Sequence, residues 1–239
     1  MTSTATNLDY PAGDITCKGV YFTPDGASGP LPVVIVCHAW DGLNDEVRDK
    51  AAKLADSGYI AFAMDVYGDG KTMTDMSELE STLTPYMADR GMLLQRTQAA
   101  LAAAKTIPGA DTTRIGAMGY CFGGLAVLDL ARAGGEDIQA FVSFHGGLGG
   151  NTLDNPATLS SKVLVLHGED DPMVPPEEVA AFKAEMTAKK ADWQLVAYSQ
   201  TVHAFTRPGA NDPAFGAVYN PTTDKRSWQA MLSFFAETL

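Results

Sequence analysis

The 239 residues are 46% hydrophobic and 19% charged, with 23 glycines and 13 prolines, which excludes a disordered or collagen-like chain and fits a folded globular one. Seventeen Lys and Arg against 29 Asp and Glu leave a net charge of −12, and the longest basic run is Lys189-Lys190, so binding built on phosphate neutralisation is excluded and nucleic acid is not an expected partner. Three scattered cysteines make no disulfide framework, no basic-then-apolar leader opens the chain, and apolar runs such as VVIVC at 33–37 fall far short of the roughly 20 residues that cross a bilayer, so a cytoplasmic protein with free thiols and no membrane contact is expected.

In chain order, the 15–23 stretch reads as an antiparallel edge strand. Parallel-type strands are predicted at 31–38 (LPVVIVCH), 59–66 (YIAFAMDV), 114–120 (RIGAMGY), 138–145 (IQAFVSFH), 162–167 (KVLVLH) and 193–199 (WQLVAYS). Most are apolar throughout instead of alternating, as expected of parallel strands covered on both faces. Helical spacing is predicted near 44–57, 87–107, 122–133, 176–190 and 223–238. The alternation of strand and helix implies an α/β fold with a mostly parallel, doubly wound sheet. No repeat or hydrophilic linker divides the chain, and residues 1–239 read as a single domain. The irregular stretches 67–86 and 206–222 are long enough to shape a pocket.

The chemistry is concentrated at Gly119-Tyr120-Cys121-Phe122-Gly123-Gly124, between the strand RIGAMGY and the helix-forming LAVLDLARAG. This is the strand–turn–helix context of the G-x-S-x-G nucleophile elbow, with a thiol in place of the hydroxyl. The turn is sharp enough that a Cβ two positions either side would collide where strand and helix approach. The helix N-terminus favours a thiolate, and the Phe122 amide is aimed where an oxyanion would develop. The plain alternative is that Cys121 is a small buried residue, the commonest fate of a free cysteine.

A cysteine nucleophile needs a base, and the base an orienting acid. The strand KVLVLH runs into Gly168-Glu169-Asp170-Asp171-Pro172, and WQLVAYS into Gln200-Thr201-Val202-His203. Both candidates follow strand ends, and the order nucleophile, acid, histidine is that of α/β-hydrolases. Glu169, Asp170 and Asp171 compete for the acid's place. His38, His145 and His167 each close an apolar strand and read as hydrogen-bonded structural groups, leaving His203 as the base. No metal-ligand spacing, phosphate loop or dinucleotide fingerprint is present, and no metal or cofactor is implied.

These segments together resemble the dienelactone hydrolase family, the carboxymethylenebutenolidase type of α/β-hydrolase, from about residue 15 to the C-terminus. The resemblance rests on VIVCHAWDGLND at 34–45, GYIAFAMDVYGDG at 58–70, GYCFGG at 119–124, HGEDDPMVPP at 167–176 and HAFTRP at 203–208. It implies a Cys121–His203–Asp171 triad that opens a small ester or lactone through an acyl-cysteine. It selects Asp171 by register from Gly168 and Val174. It assigns the oxyanion to the amides of Phe122 and Trp40, and a substrate carboxylate to Arg207.

Two departures stand out. Where family members often carry a glutamate that assists the thiol, this chain has Ala39, so that route is absent unless Asp41 or another carboxylate supplies it. The second carboxylate-binding arginine has no counterpart near Met76; Arg90 or Arg96 are the stand-ins, although a helix over 87–107 could carry both as exposed charges. Both departures argue against dienelactone itself as the substrate. The expected partner is a small ester or lactone, and the expected state a monomer or weak homodimer. The rival readings are a non-catalytic small-ligand binder on the same scaffold, and a thioesterase or acyltransferase using the same cysteine.

Overall fold

The computed structural model describes residues 3–135 and 137–239. The chain forms two compact units, one ending at Ala117 and one comprising Met118–Leu239.

The first unit contains β1 (Ser3–Ala12), β2 (Ile15–Pro24), β3 (Leu31–Cys37), α1 (Asp45–Ala55), β4 (Ile60–Met64), α2 (Met76–Ala88), α3 (Arg90–Ala104) and most of β5 (Ala110–Tyr120). Its strand order is β1-β2-β4-β3-β5. β3 and β4 run parallel, from Val33 beside Ile60 to Cys37 beside Met64. Every residue of β4 and the last five of β3 are buried, which is what their uninterrupted apolar sequences require. β2 is antiparallel to β4, as expected, but it is not the edge. The edge is β1, hairpinned onto β2 across a two-residue turn at Gly13-Asp14. Its sequence STATNLDYPA is largely exposed and carries no apolar run, so it gives no strand signal.

The stretch 67–86 is not irregular throughout. Its first part is tied to the buried carboxylate of Asp65, which accepts from the amides of Lys18, Tyr67, Gly68 and Gly70 at 2.8–3.0 Å. Its second part is α2, capped by Asp75, whose side chain accepts from Ser77 and Glu78. The helix expected over 87–107 is α3, and only its first two positions fall in α2. Asp89, in extended conformation, ends α2 and caps α3 through the Met92 amide. The polar sequence MSELESTLTPYMA, with Pro85 inside it, conceals α2 from a periodicity reading.

The second unit holds the end of β5, then α4 (Phe122–Arg132), β6 (Ala140–Phe144), β7 (Lys162–Gly168), α5 (Pro176–Ala188), β8 (Asp192–Tyr198), the short pair β9 (Asn211–Asp212) and β10 (Ala217–Val218), and α6 (Pro221–Thr238). β6, β7 and β8 are parallel neighbours in that order. The stretch 206–222 thus contains an antiparallel ribbon, β9 with β10. All eleven residues of α4 are buried, including Arg132. Arg132 donates to the Leu148 carbonyl at 2.7 Å and pairs with Glu185 at 3.0 Å and with buried Asp129 at 3.4 Å. Because β6, β7 and β8 are parallel, the segments after them leave from the same end of the sheet, and the Cys121 amide, just past β5, reaches the Phe144 carbonyl at the end of β6. His145, Asp171 and His203 lie in those segments.

Candidate active site

Cys121 joins β5 to α4 with φ 53° and ψ −116°, a left-handed-side conformation that a non-glycine residue adopts only when its surroundings impose it. The constraints are visible. Its amide donates to the Phe144 carbonyl at 3.0 Å, and its carbonyl accepts from Leu125 at 3.2 Å. A Cβ on Gly119 would collide with the Gly123 carbonyl, and one on Gly124 would lie 2.6 Å from Ser143 Oγ and 2.9 Å from Gly146 Cα. The close approach expected two positions before Cys121 is present at Gly119, and on the helix side it is at Gly124, three positions after Cys121. The Cys121 side chain makes no capping bond to α4, and the residue is half-buried. Phe122 is the first residue of α4, so its amide is at the helix N-terminus.

His203 sits beyond β8, clamped through its backbone: its amide donates to Gly216 at 3.0 Å and its carbonyl accepts from Val218 at 3.1 Å. Its ring Nδ1 lies 2.8 Å from Asp171 Oδ2. Asp171 is itself fixed, because Oδ1 accepts from the Met173 amide at 2.9 Å. Of the three consecutive carboxylates, Glu169 and Asp170 are exposed and Asp171 is buried. The acceptor on Nδ1 makes that nitrogen the donor and leaves Nε2 as the working atom. Nε2 is buried, and Cys121 is its charged neighbour. Burial opposes charge on the ring, but the adjacent Cys121 charge, and then the Asp171 bond, outweigh it and push the His203 pKa up to about 10. These influences favour the charged form of the His203 ring beside Cys121.

Of the other histidines, His38 and His145 are hydrogen-bonded as the sequence reading expected, whereas His167 Nδ1 is buried without a hydrogen-bond partner among the described residues. His38 Nδ1 donates to the Ala39 carbonyl at 2.6 Å, and its Nε2 accepts from the Val66 amide at 3.1 Å, which fixes a neutral ring; burial lowers its pKa. His167 is buried, and burial again disfavours its charge. His145 Nε2 is bonded to Thr206 Oγ1 at 2.9 Å.

The remaining candidates fall as follows. Trp40 is half-buried in the segment after β3, where its carbonyl accepts from Tyr67 Oη at 2.8 Å. Asp41 is buried and receives the Asn44 amide at 2.8 Å, and Asn44 in turn caps α1. Arg90 opens α3 and is half-buried. Arg96 is not an exposed charge: it is buried, with Nη2 3.5 Å from Asp14 of the β1–β2 turn. Met76 is 59% exposed at the start of α2. Arg207 is half-buried four residues after His203, its amide closing a turn onto Ala204. Sequence reasoning missed the strip 216–218 that clamps His203; its only signal, Gly216, is one glycine among many.

Residues 17–239 match the model of the dienelactone hydrolase family. The chain belongs to the dienelactone hydrolase family. It is 31% identical over 231 residues to a Salmonella typhimurium protein provisionally named a carboxymethylenebutenolidase, covering 91% of this chain and 81% of that one. A crystal structure of a dienelactone hydrolase-like promiscuous phosphotriesterase from metagenomic libraries superposes with a TM-score of 0.95 at 39% identity, covering 100% of this chain and 99% of the other. Pyrococcus horikoshii acylaminoacyl peptidase shares the fold alone, with a TM-score of 0.77 at 15% identity over 100% of this chain and 42% of that one. The fold is that of the α/β-hydrolases, and as a dienelactone hydrolase family member the chain is a hydrolase of the ester and lactone type. Among the described residues, no helix is long and apolar enough to cross a membrane.

Proposed function

We propose that this dienelactone hydrolase family member cleaves small carboxylic esters or lactones through an acyl-cysteine on Cys121, with His203 as acid and base and Asp171 as orienter. The observation that carries the reading is the His203 ring, bonded through Nδ1 to Asp171, with its Nε2 buried and its charge stabilised by Cys121.

In the first half-reaction the Cys121 thiolate forms a bond to the carbonyl carbon. The carbonyl oxygen becomes an oxyanion received by the Phe122 amide at the N-terminus of α4. As the intermediate collapses, the C–O bond breaks and the alkoxide takes the Nε2 proton, leaving a thioester and a neutral imidazole. The thioester carries no charge, so the largest influence raising the His203 pKa is gone while burial still lowers it. The ring is thereby ready to take a proton from water. The hydroxide attacks, the acid is released, the thiolate leaves, and the imidazolium is restored. One ring serves as acid and then base because the charge beside it switches off midway. Arg207 is proposed to bind an anionic group on the substrate. A thiolate is expelled more easily than an amine, so esters suit the mechanism better than peptides.

Purified protein should hydrolyse activated esters or lactones and accumulate an acyl-cysteine at low pH; Cys121→Ala turning over the same substrates at the wild-type rate would overturn the assignment. A second reading, phosphotriester hydrolysis by the same thiolate, is favoured by the 39%-identical phosphotriesterase structure. A paraoxon-type substrate tests it, with Cys121→Ala as the control.

A further inference from the structure

His145 stands out among the buried polar residues of the second unit. It follows β6 with φ 37°, one of six non-glycine residues in the left-handed region among the described residues, alongside Cys121. Its amide donates to the Leu166 carbonyl of β7 at 2.9 Å, so its backbone is anchored to the strand that leads to Asp171. Its ring meets three others. The His203 ring is 5.0 Å away at 67°, the Phe205 ring 5.0 Å away at 81°, and the Tyr120 ring 6.1 Å away at 45°. Nε2 is 2.9 Å from Thr206 Oγ1, on the same segment as His203 and three residues beyond it. Tyr120, in turn, immediately precedes Cys121. A single ring therefore touches the base, a residue of the segment that carries the base, and the neighbour of the nucleophile.

A hydrogen bond to Asp171 fixes one edge of His203 but leaves the ring free to tilt about that bond. The clamp at residues 216–218 holds only the backbone. The edge-on His145 ring supplies the missing lateral contact, and Thr206 keeps that ring in place. We propose that His145 is a positioning residue whose ring, held by Thr206, fixes the tilt of the His203 imidazole so that Nε2 meets the sulfur of Cys121. Backbone strain at residue 145 is consistent with this, because strain persists where the surroundings demand one particular side-chain direction. Tyr120 of β5 and His203 are titratable groups that face the His145 ring. The inference rests on the proposed triad and adds a residue that does not touch substrate.

The test compares His145→Ala, His145→Gln and Thr206→Val with the wild type, using an activated ester. Gln places an amide near the position of His Nε2 and can bond Thr206. Val is nearly isosteric with Thr and removes only the hydroxyl. His145→Ala is expected to lower kcat about tenfold with KM nearly unchanged, since misorientation acts on the reacting geometry. The alkaline limb of its pH profile should move to lower pH, because a tilted ring loses part of the thiolate contact that keeps it protonated. Thr206→Val should move both readouts in the same direction by less, and His145→Gln should recover part of the loss. Thermal melting accompanies each variant; if His145→Ala does not fold, Thr206→Val carries the test. An alkaline limb unmoved in folded His145→Ala and Thr206→Val, or a change in KM alone, overturns the positioning role. Wild-type turnover by Cys121→Ala overturns the triad instead, and the two failures are distinct.

Discussion

The Nδ1 of His203 and Oδ2 of Asp171 are 2.8 Å apart, with both side chains buried, which commits the opposite ring nitrogen to the space beside Cys121. Asp171→Asn, with its acceptor and charge altered, is expected to lower kcat by about a hundredfold or more, while Glu169→Asn and Asp170→Asn stay close to wild type because both side chains are exposed. Steady-state kinetics on the three variants decides between the neighbouring carboxylates. Equal losses at all three would remove Asp171 from its place.

The His203 ring is expected to titrate near pH 10 in the resting protein, followed by NMR of the imidazole carbons. Burial lowers that value, and the Cys121 charge is the largest influence raising it, so Cys121→Ala should bring the titration down markedly. The corresponding kinetic expectation is that kcat/KM falls as the pH rises through about 10, where the proton destined for the alkoxide is lost. A His203 titration unchanged in Cys121→Ala would show that the two groups are not coupled.

Gly119→Ala drives a methyl into the Gly123 carbonyl, and Gly124→Ala places one between Ser143 and Gly146. Because the opposing atoms in the first case are backbone, Gly119→Ala should cost about 2–3 kcal/mol or more in urea unfolding, with loss of turnover in whatever folds. Gly124→Ala meets a serine hydroxyl that can rotate but also the Gly146 Cα, which cannot, and should still be clearly destabilising.

Arg132 neutralises Asp129 in a fully buried setting, with Glu185 on its other side. Arg132→Met leaves Asp129 without its cation and is expected to cost about 3–5 kcal/mol by urea unfolding. Adding Asp129→Asn should restore part of that loss, since most of the penalty is an uncompensated buried charge.

Arg207→Ala is expected to weaken turnover of esters bearing a carboxylate by about tenfold or more while leaving neutral esters nearly unaffected, if the guanidinium pairs with substrate. Parallel kcat/KM measurements on a charged and a neutral ester of equal size check this. Equal losses on both would assign Arg207 a purely structural role.

Much was legible in the sequence. The apolar runs of β3, β4, β6 and β7 mark themselves, because burial on both faces permits no polar alternation. The glycines flanking Cys121 announce a tight strand-to-helix crossing, because only a missing Cβ allows the approach seen at Gly119 and Gly124. The order Cys121, Asp171, His203, each after a strand, was equally readable, since a parallel sheet delivers all its strand ends to one side. β1 and α2 were not readable: an edge strand and a half-exposed helix rely on hydrogen bonding and capping, with little of the hydrophobic period that a sequence displays.

What the sequence by itself determined was the family, the strand–helix order and the short list of reactive side chains, because each depends on spacing along the chain. Only the tertiary structure decided among near neighbours. It buried Asp171 while exposing Glu169 and Asp170, turned Arg96 inward onto Asp14, and set His145 against His203, which lies 58 positions further along the chain. Those choices depend on which strand end faces which, and on whether water reaches a carboxylate. Neither is a property of residue order, and both are fixed when the sheet closes over its core.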